Sequence, residues 1–256
     1  MFPQKAERFL CHSTERMVDM YTYQWGSERI RFMVDACEFG TYHQQLTKLL
    51  APHLEGAERV CDVGCGLGYL SLELAKFVPH VTAVEVDEEA ISVLRKNCAA
   101  REIGNIHALC QDAFSLDEAY QFDRMIFCVF GTVEEVLSIA EKHCTGEVLM
   151  ITRNEKHHRF SHAQEALRDR KYSFENKCYE LRKRGIPFEA KEFTLEFGQP
   201  FRSLEDAAAI YALYSKKGDL SEEELLARLE KTDRQDFPFY LPKKSNLGFI
   251  RISMKG

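Results

Sequence analysis

The chain has 256 residues, 45% of them hydrophobic, 11% aromatic and 29% charged, the composition of a globular protein able to bury a sizeable core. Disordered and fibrous classes are excluded. Lys+Arg 34 against Asp+Glu 40 gives a formal charge of -6, so there is no general electrostatic footprint for a polyphosphate, while a local basic patch stays open.

At roughly 150 residues per domain, the length fits one large domain with an insertion. Residues 1–52 are helical in tendency and read as an N-terminal cap segment ahead of a main domain over 53–256. The opening MFPQKAERFL carries charges where a signal peptide would be apolar, and no run approaches the roughly 18 apolar residues that cross a bilayer. A cytoplasmic protein with no membrane partner is expected. The nine cysteines form no CxxC pair and no paired zinc spacing, so no metal site is expected and they read as reduced thiols.

From Arg59 to Asn154 a short β-rich run repeatedly precedes a helical pattern, the mark of a parallel sheet with crossover helices. The first run is RVCDVG (59–64), followed by Leu70, Leu74, Phe77 and Val78 at helical spacing until Pro79. The second is HVTAVEV (80–86), after which Asp87 caps a helix to Ala100, with Glu88 and Glu89 in its first turn. A third strand, NIHALC, ends at Gln111 and Asp112. The fourth, DRMIFCVF (123–130), is apolar on both faces, as at the centre of a parallel sheet. A helix from Val133 to His143 closing at Gly146 then leads into the fifth strand, EVLMITR. Beyond it come a polar helical stretch (about Ser161 to Arg184), an extended segment (187–197), two helical stretches in an insertion of about 199–245, and a last strand, LGFIRIS.

The stretch that carries chemistry is Asp62-Val63-Gly64-Cys65-Gly66-Leu67-Gly68, between the first strand and the first helix. Glycines there permit a tight turn and the close approach of a ligand, and the exposed amides suit polar groups. The trio alone also fits a plain strand-to-helix turn. Glu85, at the end of the second strand, has the carboxylate that accepts both hydroxyl hydrogens of a ribose, in a dinucleotide or in any adenosyl ligand. Asp112, after the third strand, has an acceptor for an exocyclic amine. Either acid alone fits a solvated strand end, but three polar groups after three consecutive strands follow the crevice where open α/β sheets bind ligands. The glycines read G-x-G-x-G, whereas a dinucleotide fingerprint reads G-x-G-x-x-G, which sets a nicotinamide oxidoreductase behind.

With VCDVGCGLGYLSLELA, VTAVEVD, CQDA and FDRMIFCVF in this order, residues 45–154 resemble the class I S-adenosylmethionine-dependent methyltransferases. The resemblance implies a Rossmann-like, mostly parallel seven-stranded α/β sheet with helices on both faces, the cofactor core at 59–154, and a helical lid between the last two strands, which pair antiparallel. It implies S-adenosyl-L-methionine as cofactor, with S-adenosyl-L-homocysteine as product. Gly64, Cys65, Gly66 and Gly68 would hold the methionine portion, with Asp62 organising the turn or receiving the cofactor ammonium. Glu85 would bind the ribose, Asp112 and Ala113 the adenine, and Cys128 would lie near the sulfonium. The fourth strand departs from the Asn/Asp-Pro-Pro-aromatic pattern of enzymes that methylate base or glutamine nitrogens, reading Phe127-Cys128-Val129-Phe130-Gly131.

Methyl transfer needs the acceptor atom held in line and water excluded, with a base where the acceptor is protonated. The candidate is His43, alongside His157 and His158. The resemblance places the acceptor pocket around Trp25, Tyr42 and residues 155–240, where Tyr211, Tyr214, Phe237, Phe239 and Tyr240 fit either a lid or the small core of the insertion. The basic runs at 182–184 and 216–217 read as helix ends. With an acidic chain and no base-nitrogen motif, a small-molecule acceptor methylated on O, N or S is expected and nucleic acid is not. The alternatives are a protein or RNA acceptor, or a protein that binds the cofactor without turnover.

Overall fold

The computed structural model describes residues 25–154, 170–214 and 220–254. Two helices, α1 (Ser27–Phe39) and α2 (Tyr42–Leu54), precede β1 (Arg59–Val63). Then follow α3 (Tyr69–Leu74), β2 (His80–Glu85), α4 (Glu88–Ala100), β3 (Ile106–Cys110), β4 (Phe122–Cys128), α5 (Val133–His143) and β5 (Cys144–Arg153). After them come α6 (Phe174–Lys183), β6 (Glu189–Glu196), β7 (Gln199–Phe201), α7 (Leu204–Tyr214), α8 (Glu222–Leu226), β8 (Glu230–Lys231), β9 (Phe239–Leu241) and β10 (Lys244–Ser253). His157, His158, Lys216, Lys217 and the ring of Tyr214 lie outside the described residues and side chains.

Seven strands form one sheet in the order β3-β2-β1-β4-β5-β10-β6. Its first five strands are parallel, and β10 runs antiparallel to both β5 and β6. The period of two sorts the central strands: Cys61, Val63, Met125, Phe127, Val148 and Met150 face α5 and α6, while Val60, Ile126, Leu149 and Ile151 face α2 and α3. Both faces are therefore covered, and the sheet's C-terminal rim is the edge on which β1 and β4, neighbours with crossovers on opposite sides, leave a crevice.

Local signals account for most helix starts. Asp87 accepts from the Ala90 amide, and Thr132 with Glu135 forms a reciprocal capping box on α5. Two boundaries differ from the sequence reading. α3 stops at Leu74 because its end tightens into three-residue turns, Lys76 N–H to Glu73 O and Phe77 N–H to Leu74 O, so that Phe77 is exposed. α5 passes straight into β5 at Cys144 because Phe122 pairs with Cys144 across a register shift.

The insertion between β6 and β10 contains the two predicted helices and also a three-stranded sheet, β7-β9-β8. Its own core of Phe201, Ile210, Tyr211, Leu225 and Leu241 takes in Phe32 of α1. Two ion pairs bind α1 to the insertion, Arg202 to Asp35 at 2.6 Å and Arg31 to Asp206 at 2.7 Å. Thus α1 is docked between the insertion and the α3 and α4 side of the sheet, and α2 on the sheet.

Candidate functional site at the C-terminal rim of the sheet

The glycine turn is left-handed at all three glycines, with φ of 68° at Gly64, 55° at Gly66 and 76° at Gly68, a conformation that side chains with a Cβ rarely adopt. The amides of Gly64 and Cys65 both donate to the Val84 carbonyl, at 2.8 and 3.0 Å, which ties the turn to β2. Glu85 then holds it from the side: its carboxylate accepts from the amides of Gly66 at 3.0 Å, Val86 at 2.9 Å and Asp87 at 3.2 Å. Asp112 accepts from the Phe114 amide at 3.0 Å and caps a short 3-10 turn whose first residue, Ala113, is buried.

Asp62 lies under the turn, 1% exposed. Its Oδ2 accepts from the Ser71 hydroxyl of α3 at 2.6 Å, while its Oδ1 is buried with no hydrogen-bond partner. Burial pushes this carboxyl up to about 6, against the Ser71 bond, which lowers it, with the nearby Glu85 charge adding to the rise. An acceptor atom left bare in a buried position costs about 1–3 kcal/mol, and Oδ1 is therefore poised for a donor.

Two aromatic rings border the turn. A Cβ on Gly64 would stand 2.5 Å from Cδ2 of Phe130, and one on Gly66 would stand 2.9 Å from Cζ2 of Trp25. Beside Trp25, a cleft of about 750 Å³ opens between the start of α1 and the start of α4, lined by Ser27, Arg29, Val86, Asp87 and Glu88 among others. Cys128, at the end of β4, is half-buried, and burial pushes its thiol up to about 12, so it stays protonated at neutral pH.

His43, in the first turn of α2, is surrounded by rings: Tyr42 at 5.0 Å, Tyr69 at 5.8 Å and Phe197 at 5.9 Å between centroids. Burial lowers its pKa to about 4, so the imidazole is neutral at pH 7. Tyr42 is buried and stacked on Phe197 at 4.3 Å. Tyr211 is buried in the insertion core, and Phe237 and Tyr240 pack on Phe39.

Sequence reading passed over two residues. Val129, just after β4, has φ 56°; a β-branched residue in the left-handed region costs on the order of 1–2 kcal/mol. Lys177 of α6 is 1% exposed and donates to the Phe130 carbonyl at 2.8 Å. The signal for Lys177 was available: with Phe174, Cys178 and Leu181 it makes up the buried stripe of α6, at i, i+3, i+4 and i+7.

Residues 41–128 match the family model "Methyltransferase small domain". That match covers both the glycine turn and the carboxylate row of a sheet in this strand order. Over these residues the match and the fold support a class I S-adenosylmethionine-dependent methyltransferase. An uncharacterized RNA methyltransferase of Halalkalibacterium halodurans is 33% identical over 102 residues, 35% of this chain and 22% of the relative. A ribosomal protein L11 methyltransferase of Acetivibrio thermocellus is 34% identical over 105 residues, 37% of this chain and 33% of the relative. The chain thus spans a third or less of these curated relatives' length. Among solved structures, the YcgJ protein of Bacillus subtilis shares the fold at a TM-score of 0.51 and 14% identity, over 84% of this chain and 100% of that one.

These methyltransferase relatives correct one expectation. A small-molecule acceptor with nucleic acid set aside does not stand, because the relatives are named as RNA or ribosomal protein methyltransferases. The chain-wide charge of -6 was the wrong test, since binding a phosphate backbone depends on local charge. No helix among the described residues is long and apolar enough to cross a membrane.

Proposed function

We propose that this protein transfers a methyl group from S-adenosylmethionine to an acceptor on RNA. The observation that carries the cofactor half is the bare Oδ1 of Asp62 beneath a left-handed glycine turn whose neighbour, Glu85, presents a fixed carboxylate. These groups fit the cofactor's chemistry. Asp62 would accept from its ammonium, Glu85 would accept from its ribose hydroxyls, and Asp112 and Ala113 would border its adenine, with the glycines leaving room for its methionine portion. Cys65 and Cys128 would line the site as neutral thiols.

When bound, the cofactor supplies a methyl carbon already activated by a positive sulfur. The chain's part is to hold the acceptor atom in line, about 3 Å from that carbon, and to keep water out. Asp62, Glu85 and the glycine turn would fix the donor so that its methyl group passes from sulfur to the acceptor atom. A proton on the acceptor leaves to a base, and neutral His43 is the candidate in this reading. Trp25 and Tyr42 are the candidates for bordering the acceptor, and the segments proposed to build its pocket are the cap (1–52) and the insertion (about 199–245).

Support for RNA comes from the relatives' names and from the segment that follows the rim end of β5. There Arg153, Lys156, Arg159, Arg168, Arg170 and Lys171 outnumber Glu155, Glu165 and Asp169, a local basic stretch in an acidic chain. The test is calorimetric titration with S-adenosylhomocysteine, then transfer of labelled methyl groups to total RNA and to ribosomal proteins in parallel. Micromolar binding with label in RNA, declining steeply with added salt, is the expected result. Label in protein alone would overturn the RNA acceptor, and no binding would overturn the cofactor assignment.

A further inference from the structure

Lys177 is a costly residue for its position. Its side chain is 1% exposed, and its ammonium has one acceptor among the described residues, the Phe130 carbonyl. The charged and titratable groups acting on it are Glu135 of α5 and Cys128 of β4. Glu135 is already committed to the amide and hydroxyl of Thr132, at 2.6 and 2.9 Å. Among the described residues it has no ion-pair partner, and a buried cation so placed loses hydration without a matching gain; burial accordingly lowers its pKa to about 8. Methionine would fill the same stripe of α6 without that cost, so packing alone does not account for lysine.

Its single bond goes to a demanding place. The Phe130 carbonyl lies between two left-handed residues, Val129 at φ 56° and Gly131 at φ 52°. That turn turns the Phe130 ring onto Gly64, where it also leans on Phe127 at 5.6 Å. Strained backbone persists only where its surroundings over-determine it. Around this turn the surroundings are the Val129 amide bonded to Ile151 O at 2.7 Å and the Lys177 ammonium.

We propose that Lys177 is a positioning residue: its ammonium ties the left-handed Val129–Gly131 turn to α6 and so holds the Phe130 ring against the glycine turn of the cofactor site. The inference rests on the cofactor reading above. It makes a helix 47 residues further along the chain part of the wall of a site whose glycine turn and carboxylates come from residues 62–112.

The test compares wild type, Lys177→Met, Phe130→Ala and the double variant by S-adenosylhomocysteine titration and by melting. Lys177→Met is expected to weaken binding about tenfold while its Tm stays level or rises. In the Phe130→Ala background the same substitution should cause no further loss, since the effect passes through that ring. Unchanged affinity, a loss that persists without Phe130, or a lowered Tm would each overturn the proposal, the last by making Lys177 a structural residue. Amide hydrogen exchange over 128–132 reads the tie without any ligand. If wild type fails to bind S-adenosylhomocysteine, the cofactor reading fails by itself, and faster exchange in Lys177→Met still supports the tie while unchanged exchange overturns it.

Discussion

The rim of the sheet is built in two ways. At the ends of β1, β2 and β3 a carboxylate recurs, and its fixing partners are near in sequence: Ser71 for Asp62, Gly66, Val86 and Asp87 for Glu85, Phe114 for Asp112. At the ends of β4 and β5 the order is reversed. Here the backbone is strained at Val129, β4 ends on Cys128, and the polar group is a lysine delivered by a distant helix. The first half is a preformed set of acceptors, and the second is a shape held by tertiary contacts. A ligand gripped by the first half would present its reactive part to the second.

Gly66→Asp attacks the first half most severely. At φ 55° and beneath Trp25, an aspartate adds strain of about 1–2 kcal/mol and places a charge in the turn. S-adenosylhomocysteine binding should vanish in calorimetry while the Tm drops by about 2–8 °C; retained affinity would remove the turn from the site. Glu85→Ala should cost about 1.5–3 kcal/mol of binding, the range for hydrogen bonds to a charged group, or roughly ten- to hundredfold in Kd. An unchanged Kd would leave Glu85 as a brace for the Gly66 amide and nothing more.

His43 gives the smallest effect. Because burial lowers its pKa to about 4 from 6.5, the unfolded chain takes up a proton between those values that the folded chain refuses. Stability therefore falls as pH falls through that window. His43→Phe should lose less Tm than wild type between pH of about 7 and about 4.5, and its methyl transfer should drop further than its cofactor affinity. Parallel melting slopes would show that His43 is not held neutral by the fold.

What was legible in the sequence divides along the same line. Strand alternation, the cap at Asp87 and the spacing of the glycines and of Glu85 and Asp112 at successive strand ends are carried by local pattern, and a single sequence displays them. The sheet in the insertion was missed because β7, β8 and β9 are two or three residues long, too short for a period of two to register. The role of Phe130 depends on φ at Val129, which no local pattern announces. Lys177 was visible as a charge on an apolar stripe, but its partner lies 47 residues away. The acceptor was misjudged from net charge, a whole-chain average that says nothing about the segment beyond β5.

The chain contains one tryptophan, and its indole rests on Gly66. Excitation near the red edge of the protein's ultraviolet absorption therefore samples a single emitter at the glycine turn. Its colour and lifetime report whether that spot is wet, dry or covered, in the unlabelled wild-type protein and on the timescale of mixing. Burial or displacement of this one ring gives the protein its own optical readout of occupancy.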